Sequence, residues 1–263
     1  MNCPYCNTEI PQGREICPNN ECYRPIKPIP MPTGGKIRFG KYDWYVLDKQ
    51  DGKTLILTEK VIEKRAYHSG ECEITWETCD MRKYLNGEFY NSFSEADRAR
   101  ILEIVNENHD NPWYGTNGGN PTTDKIFLLS IKEVFKYFGD SGQFENRPRM
   151  YPNCDWCKDE FLPWTDDQYN LNRRAVDDSG MVVHWRLRSP GANERLVANV
   201  MGNCGDEFEH GAICVSGGGG ELSPDGHFIF NTTDVLTVMD TDNSITHFSN
   251  INGVRPALWL RTV

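Results

Sequence analysis

Four cysteines within the first 22 residues, spaced C-x2-C-x10-C-x4-C, constrain this chain more tightly than any other feature. Cys3 and Cys6 form one close pair, and Cys17 and Cys22 form a looser one. Two such pairs can converge tetrahedrally on a single divalent ion at a metal–sulfur distance of about 2.3 Å. The residues around them carry few hydrophobes (Tyr5, Ile10, Ile16, Tyr23), too few for a core of their own. Metal binding worth ~10–16 kcal/mol would supply the missing stability. Cys3, Cys6, Cys17 and Cys22 are therefore read as a structural Zn²⁺ site, one ion per chain, in a module over residues 1–24. The alternative, four unliganded thiols, would leave this segment without a fold. Four protein ligands leave no open coordination position, so no catalytic role follows. Acids and bases are roughly balanced in the module and it has no basic helix, so DNA binding does not follow either.

The stretch YRPIKPIPMPTGG has four prolines and two glycines in thirteen residues. That composition predicts a stiff, extended linker over 25–35, with a second domain over 36–263. The chain is 38% hydrophobic and 11% aromatic, with 7 tryptophans, which is enough to build a sizeable core. Its net charge of −10 disfavours nucleic acid and anionic membrane as partners. No stretch approaches the ~18 apolar residues of a membrane span. The start, MNCPYCNTEIPQ, has neither the basic n-region nor the apolar h-region of a secretory signal. The expectation is a cytoplasmic protein, whose 10 cysteines are thiols or metal ligands rather than disulfides.

In the large domain, alternation of apolar and polar residues predicts strands at Lys36–Phe39, Tyr42–Lys49 and Lys53–Glu59. Turns at Gly40-Lys41 and Gln50-Asp51-Gly52 separate them. TWETCDMRKYLNGEFYNSF has helical spacing at Trp76, Met81, Tyr84, Leu85 and Phe89. Ser94 to Asp97 resembles a capping box, predicting a helix that runs through Ile101 and Val105. Lys125–Leu129 reads as a buried strand. Ser130 and Glu133 then open a helix with Ile131, Val134, Phe135 and Phe138 on one face, and Gly139 ends it. VVHWRLRSPG reads as a strand entering a tight turn. From Ala192 onward, short β segments alternate with Gly-rich turns. Helices early and strands late indicate an α+β class.

The segments GKYDWYVLDKQDGKTLILTEKVI, TWETCDMRKYLNGEFYNSFS, DKIFLLS, WRLRSPG and GVRPALWL, in that order, resemble the bacterial domain of unknown function 6273, from about Lys36 to the end. The cysteine module resembles the zinc ribbons that often precede it. The family in turn resembles the C-type-lectin-like fold, in the branch shared by formylglycine-generating enzymes and the variable proteins of diversity-generating retroelements. In the family, two tryptophans usually precede Leu-Arg-Ser-Pro-Gly, whereas here Trp185 is followed by Arg186. The resemblance implies that the two ends of the domain meet in one sheet. Val254–Leu260 would then pair with the strand near Trp44 or Leu57. Pro256, having no N–H, would sit at an edge or at the strand's entry. Arg188 and Arg255 are read as buried arginines paired with carboxylates or carbonyls, the alternative being an anion-binding pair.

Between Leu196 and Val254 there is no Lys or Arg, and the segment is rich in Asp, Glu, Asn, Ser, Thr, Gly and His. Such residues make adaptable hydrogen bonds on loops carried by a scaffold. One reading is a solvated polar surface. The other is a face for a protein or glycan ligand, built from Asn231, Asp240, Asp242, Asn243, His247 and Asn250, with Trp185 and Arg186 beside it. Asp240 to Ser244 has the oxygen spacing of a calcium loop but lacks the distal bidentate Glu, so an Asn/Asp turn is preferred to Ca²⁺. Cys154-Asp155-Trp156-Cys157 lacks the helix N-terminus that a redox pair needs. A second metal site there would need two of Cys72, Cys79, Cys204 and Cys214. Formylglycine-type oxidation would fall on Cys204 and Cys214, and no motif around them supports it. The sequence favours a non-enzymatic ligand-binding protein, with a retroelement variable protein as one form of it. A thiol- or metal-dependent enzyme related to formylglycine-generating enzymes is the alternative.

Overall fold

The last strand of the chain lies inside a sheet, flanked on both sides by early strands. The computed structural model describes residues 1–19, 21–69, 73–145, 167–202, 213–214, 219–222, 228–231, 235–239, 245–249 and 252–262. The chain opens the large domain with β1 (Lys36–Phe39), β2 (Tyr42–Gln50), β3 (Lys53–Thr58) and β4 (Glu63–Arg65). Helix α1 (Asp80–Tyr84), α2 (Glu95–Arg98), β5 (Ile101–Leu102), β6 (Ile104–Asn106), β7 (Thr122–Asp124), α3 (Ile131–Phe138) and α4 (Asn170–Arg173) follow. Next come β8 (Trp185–Pro190), β9 (Val197–Val200), β10 (Ile213–Cys214), β11 (Gly219–Leu222) and β12 (Phe228–Asn231). β13 (Val235–Met239), β14 (Ile245–Ser249), β15 (Asn252–Val254) and β16 (Ala257–Arg261) complete the chain.

Two five-stranded sheets form the scaffold, in the orders β1-β2-β3-β16-β5 and β10-β9-β8-β15-β4. The pairs β6–β7, β11–β12 and β13–β14 are separate two-stranded ribbons. The class is a mixture of helices and sheets, mostly strands, and strands run through the whole chain rather than its second half.

β16 pairs antiparallel with β3, with Ala257 opposite Leu57, so the closing strand is where it was expected, but it starts at Ala257 rather than Val254, which lies in β15 of the other sheet. Pro256 sits at the entry to β16, where no ladder N–H is needed, and its carbonyl accepts from Thr58 N at 3.0 Å. The chain thus passes from one sheet to the other through Arg255-Pro256. The connection from β3 to β4 runs alongside it, with Ile62 N bonded to Val254 O at 3.0 Å. Gly253 is required by close approach: a Cβ there would stand 2.4 Å from His184 O.

The first hairpins match the alternation in the sequence, with Gly40 and Gly52 at positive φ (55° and 72°) in the turns. α1 starts later than the periodicity suggests, because the Cys79 sulfur caps it, accepting from Arg82 N at 3.4 Å. It continues through Leu85–Phe89 as a wider π-type turn. The helix expected to run from Ser94 to Val105 ends at Arg98. Ile101 and Leu102 are instead drawn into β5, opposite Leu260 and Trp259. The sheet edge offered by β16 outcompetes helical propensity there, a tertiary override. Lys125–Leu129 is not a regular strand; it is a buried segment joined to the sheet by one bridge, Phe127 to Ala257.

α3 carries the full capping box: Glu133 N donates to Ser130 Oγ at 3.2 Å and Ser130 N to Glu133 Oε2 at 2.7 Å. Ile131, Val134, Phe135 and Phe138 face the core, each burial contributing about 1.5–3 kcal/mol.

Candidate metal centre and ligand-facing surfaces

Cys3, Cys6, Cys17 and Cys22 converge, their sulfur atoms all lying within 4.8 Å of one another. The Cys3–Cys22 separation is 3.8 Å and the Cys6–Cys17 separation is 3.4 Å. A tetrahedron with metal–sulfur bonds of about 2.3 Å has sulfur–sulfur edges of about 3.8 Å. None of the four is in a disulfide. The chain turns sharply beside two of them, with Asn7 and Tyr23 at positive φ (62° and 40°). The Thr8 hydroxyl, then the Thr8 amide, hold the Cys6 thiol down to about 6. Burial pushes Cys17 up to about 12 and also raises Cys22. Four sulfurs in this arrangement can hold a metal ion, which binds cysteine as the thiolate.

The module is docked on the large domain. Ile16 and Tyr23, each next to a cysteine of the cluster, pack with Val182, and Val176 and Met181 close the contact. Val182 N donates to Tyr23 O at 3.1 Å. Arg174 pairs with Glu15 at 3.0 Å, and Arg24 Nη2 donates to Ser179 O at 2.7 Å. The linker ends against β2, where Val46 N reaches Gly35 O at 2.9 Å.

Residues expected near the ligand face have different fates. Trp185 and Arg186 are buried in β8, at 0% and 1% exposure. Trp185 Nε1 donates to Arg173 O at 3.0 Å, and its ring is covered by Arg255 at 4.8 Å and Phe138 at 6.4 Å. β8 lies inside its sheet with both faces covered, which alternation along one strand cannot reveal. Asn231 ends β12 opposite Gly219, and His247 lies in β14 opposite Thr237. Asp240, Asp242, Asn243 and Asn250 lie outside the described residues, as do Cys72, Cys154, Cys157 and Cys204. Cys214 is in β10 opposite Asn199. Cys79 is fully buried at its helix cap, where its sulfur also donates to Trp76 O at 3.3 Å, and burial pushes its thiol up to about 12. That is a structural thiol.

Both arginines read as structural are so. Arg188 is paired through its two Nη atoms with Glu133 and also donates to Leu128 O at 2.8 Å. Arg255 donates to Thr58 O at 3.0 Å and Glu59 O at 3.2 Å. Its guanidinium lies against Tyr45, Phe138 and Trp185, and burial lowers its pKa to about 10.

Sequence reasoning missed Asp124, the buried centre of a polar network. It accepts from Trp76 Nε1 (2.9 Å), Arg82 Nε (2.6 Å), Asn106 Nδ2 (2.9 Å) and Thr122 Oγ1 (2.7 Å). Only Thr122 is a sequence neighbour; Trp76, Arg82, Asn106 and, at 3.5 Å, Asn86 come from distant parts of the chain, so local pattern does not mark it. A shallow groove of about 530 Å³ lies between β6 and α3, lined in part by Lys53, Lys132, Lys136 and Arg188. Lys136 is paired with Asp48 and Arg188 with Glu133, while Lys53 lies over Trp259.

The sequence blocks that carry the resemblance turn out to be contact partners. DKIFLLS meets WRLRSPG: Arg188 N donates to Leu129 O at 2.9 Å, and Arg188 Nη1 to Leu128 O at 2.8 Å. GVRPALWL meets KTLILT through the register of β16 on β3. The blocks build the scaffold.

A family model described as "Domain of unknown function (DUF6273)" matches residues 51–262, leaving the cysteine module outside. No curated protein and no solved structure matches the chain. Among the described residues, no helix is long and apolar enough to cross a membrane.

Proposed function

Starting from a chain that belongs to the DUF6273 family, we propose a non-catalytic protein that presents the segment 203–251 as a binding face for a protein or glycan ligand. The observation that carries this reading is where the segment is rooted. It departs after β9 and returns at β15, and these two strands flank β8 in one sheet. Both roots are therefore held by a buried scaffold, the arrangement that lets loops carry recognition. We assign that scaffold to the C-type-lectin-like kind. Asn231, Asp240, Asp242, Asn243, His247 and Asn250 supply the polar contacts, while Trp185 and Arg186, buried in β8, belong to the scaffold. The absence of Lys and Arg between Leu196 and Val254 suits hydroxyl-rich or cationic ligands rather than polyanions. The ion in the cysteine module is zinc, matched to four sulfur donors.

The test is a glycan array and a panel of immobilised proteins, probed with the wild type and with a triple variant, Asp240→Ala, Asp242→Ala, His247→Ala. Loss of capture at an unchanged melting temperature supports the face; capture equal to wild type removes it. A neighbouring reverse-transcriptase gene, with an imperfect repeat of the 3′ coding end differing at adenines, would identify the retroelement form.

A further inference from the structure

We infer that the metal centre is a clamp on residues 174–183, so that metal occupancy is read by the large domain; this rests on the metal reading of the four cysteines. The residues that dock the module lie within two positions of its cysteines. Ile16 precedes Cys17, and Tyr23 and Arg24 follow Cys22. Ile16 is 4% and Tyr23 1% exposed, both against Val182. The module has little core of its own, so the positions of these side chains depend on the sulfurs being held together. Without the ion, the partners of Val182 N, Ser179 O and Arg174 on the domain side are no longer fixed in place.

The clamped segment is in turn bonded to the scaffold. Val176 and Val182 form a bridge, and Val61 N donates to Val176 O at 2.9 Å. Val183 N donates to Ala175 O at 3.1 Å, and His184 O accepts from Gly253 N at 2.9 Å. Gly253 lies in β15, the strand at which the segment 203–251 returns. A contiguous set of contacts therefore runs from the cysteine cluster to one root of the proposed binding face, the physical requirement for coupling between them.

The test is amide hydrogen exchange on the full-length protein, as purified and after dialysis against a chelator, with bound metal measured in each sample. The Val182 amide is the reporter, because its acceptor is Tyr23 O. Metal removal is expected to speed its exchange about tenfold or more, with the rest of 174–183 following and Val134 in α3 unchanged. Confirmed loss of metal with unchanged exchange at 174–183 overturns the clamp while leaving the metal site standing. A protein that binds no metal overturns both. The variant Val182→Asp separates docking from metal binding: it is expected to keep its full metal content yet exchange like the stripped protein. If that variant does not fold, the pair Glu15→Gln, Arg24→Ala serves the same purpose. Full metal content with wild-type exchange in the variant overturns the proposal.

Discussion

Leu258 stands directly opposite Ile56 across the β16–β3 ladder, and both are fully buried. This contact joins the end of the chain to the β2–β3 hairpin near its beginning. Leu258→Ala is expected to cost about 2–5 kcal/mol, through lost burial and the cavity left behind. Arg261→Ala, at the exposed end of the same strand, should stay within about 0.5 kcal/mol. Urea unfolding midpoints check both, and equal effects would mean that the strand is not held as described.

Glu133 serves both the α3 cap and Arg188. Burial alone would raise its pKa, but the Arg188 charge and the hydrogen bonds from Arg188 and Ser130 outweigh it, leaving it below the ordinary value. A lowered folded-state pKa gives stability that is fully present above about pH 4.3 and lost as pH falls through the folded value. Glu133→Gln should cost about 3–5 kcal/mol at neutral pH, because Arg188 is left buried and unpaired. Its melting temperature should also fall less steeply with acid. An acid limb as steep as in the wild type would argue against the pair.

Asp124→Asn keeps the side-chain volume but removes the charge that Arg82 and four neutral donors share. The expected cost is about 3–5 kcal/mol. A double-mutant cycle with Arg82→Met isolates the ion pair; additivity of the two single effects would mean that it contributes nothing.

Purified protein should carry one metal ion per chain, and Cys17→Ser should lose it. The accompanying fall in melting temperature is expected to be about 4–8 °C, the shift for roughly 2 kcal/mol in a domain of this size. Metal analysis and calorimetry on the same samples check this, and a metal-free Cys17→Ser with wild-type melting would show that the module is energetically idle.

Local signals carried much of the architecture. The cysteine spacing foretold the cluster, Ser130 and Glu133 foretold the cap of α3, and the Gly-punctuated alternation from Lys36 foretold the first three strands. These are short-range relationships, in which each residue's role follows from neighbours a few positions away. The block resemblance supplied the closing strand. The candidate binding face was legible only as composition, since Asp240, Asp242, Asn243 and Asn250 mark polarity but no geometry.

The amino-acid sequence by itself determined the cysteine cluster, the caps and the hairpins, because periodicity, turn chemistry and cysteine spacing act along the chain. Only the tertiary structure decided that Trp185 and Arg186 are buried, that the helix after Ser94 gives way to β5, that Asp124 gathers five donors, and that Ile16 and Tyr23 rest on Val182. Each of these depends on which distant segment covers a surface, and burial is a property of that partner as much as of the residue itself.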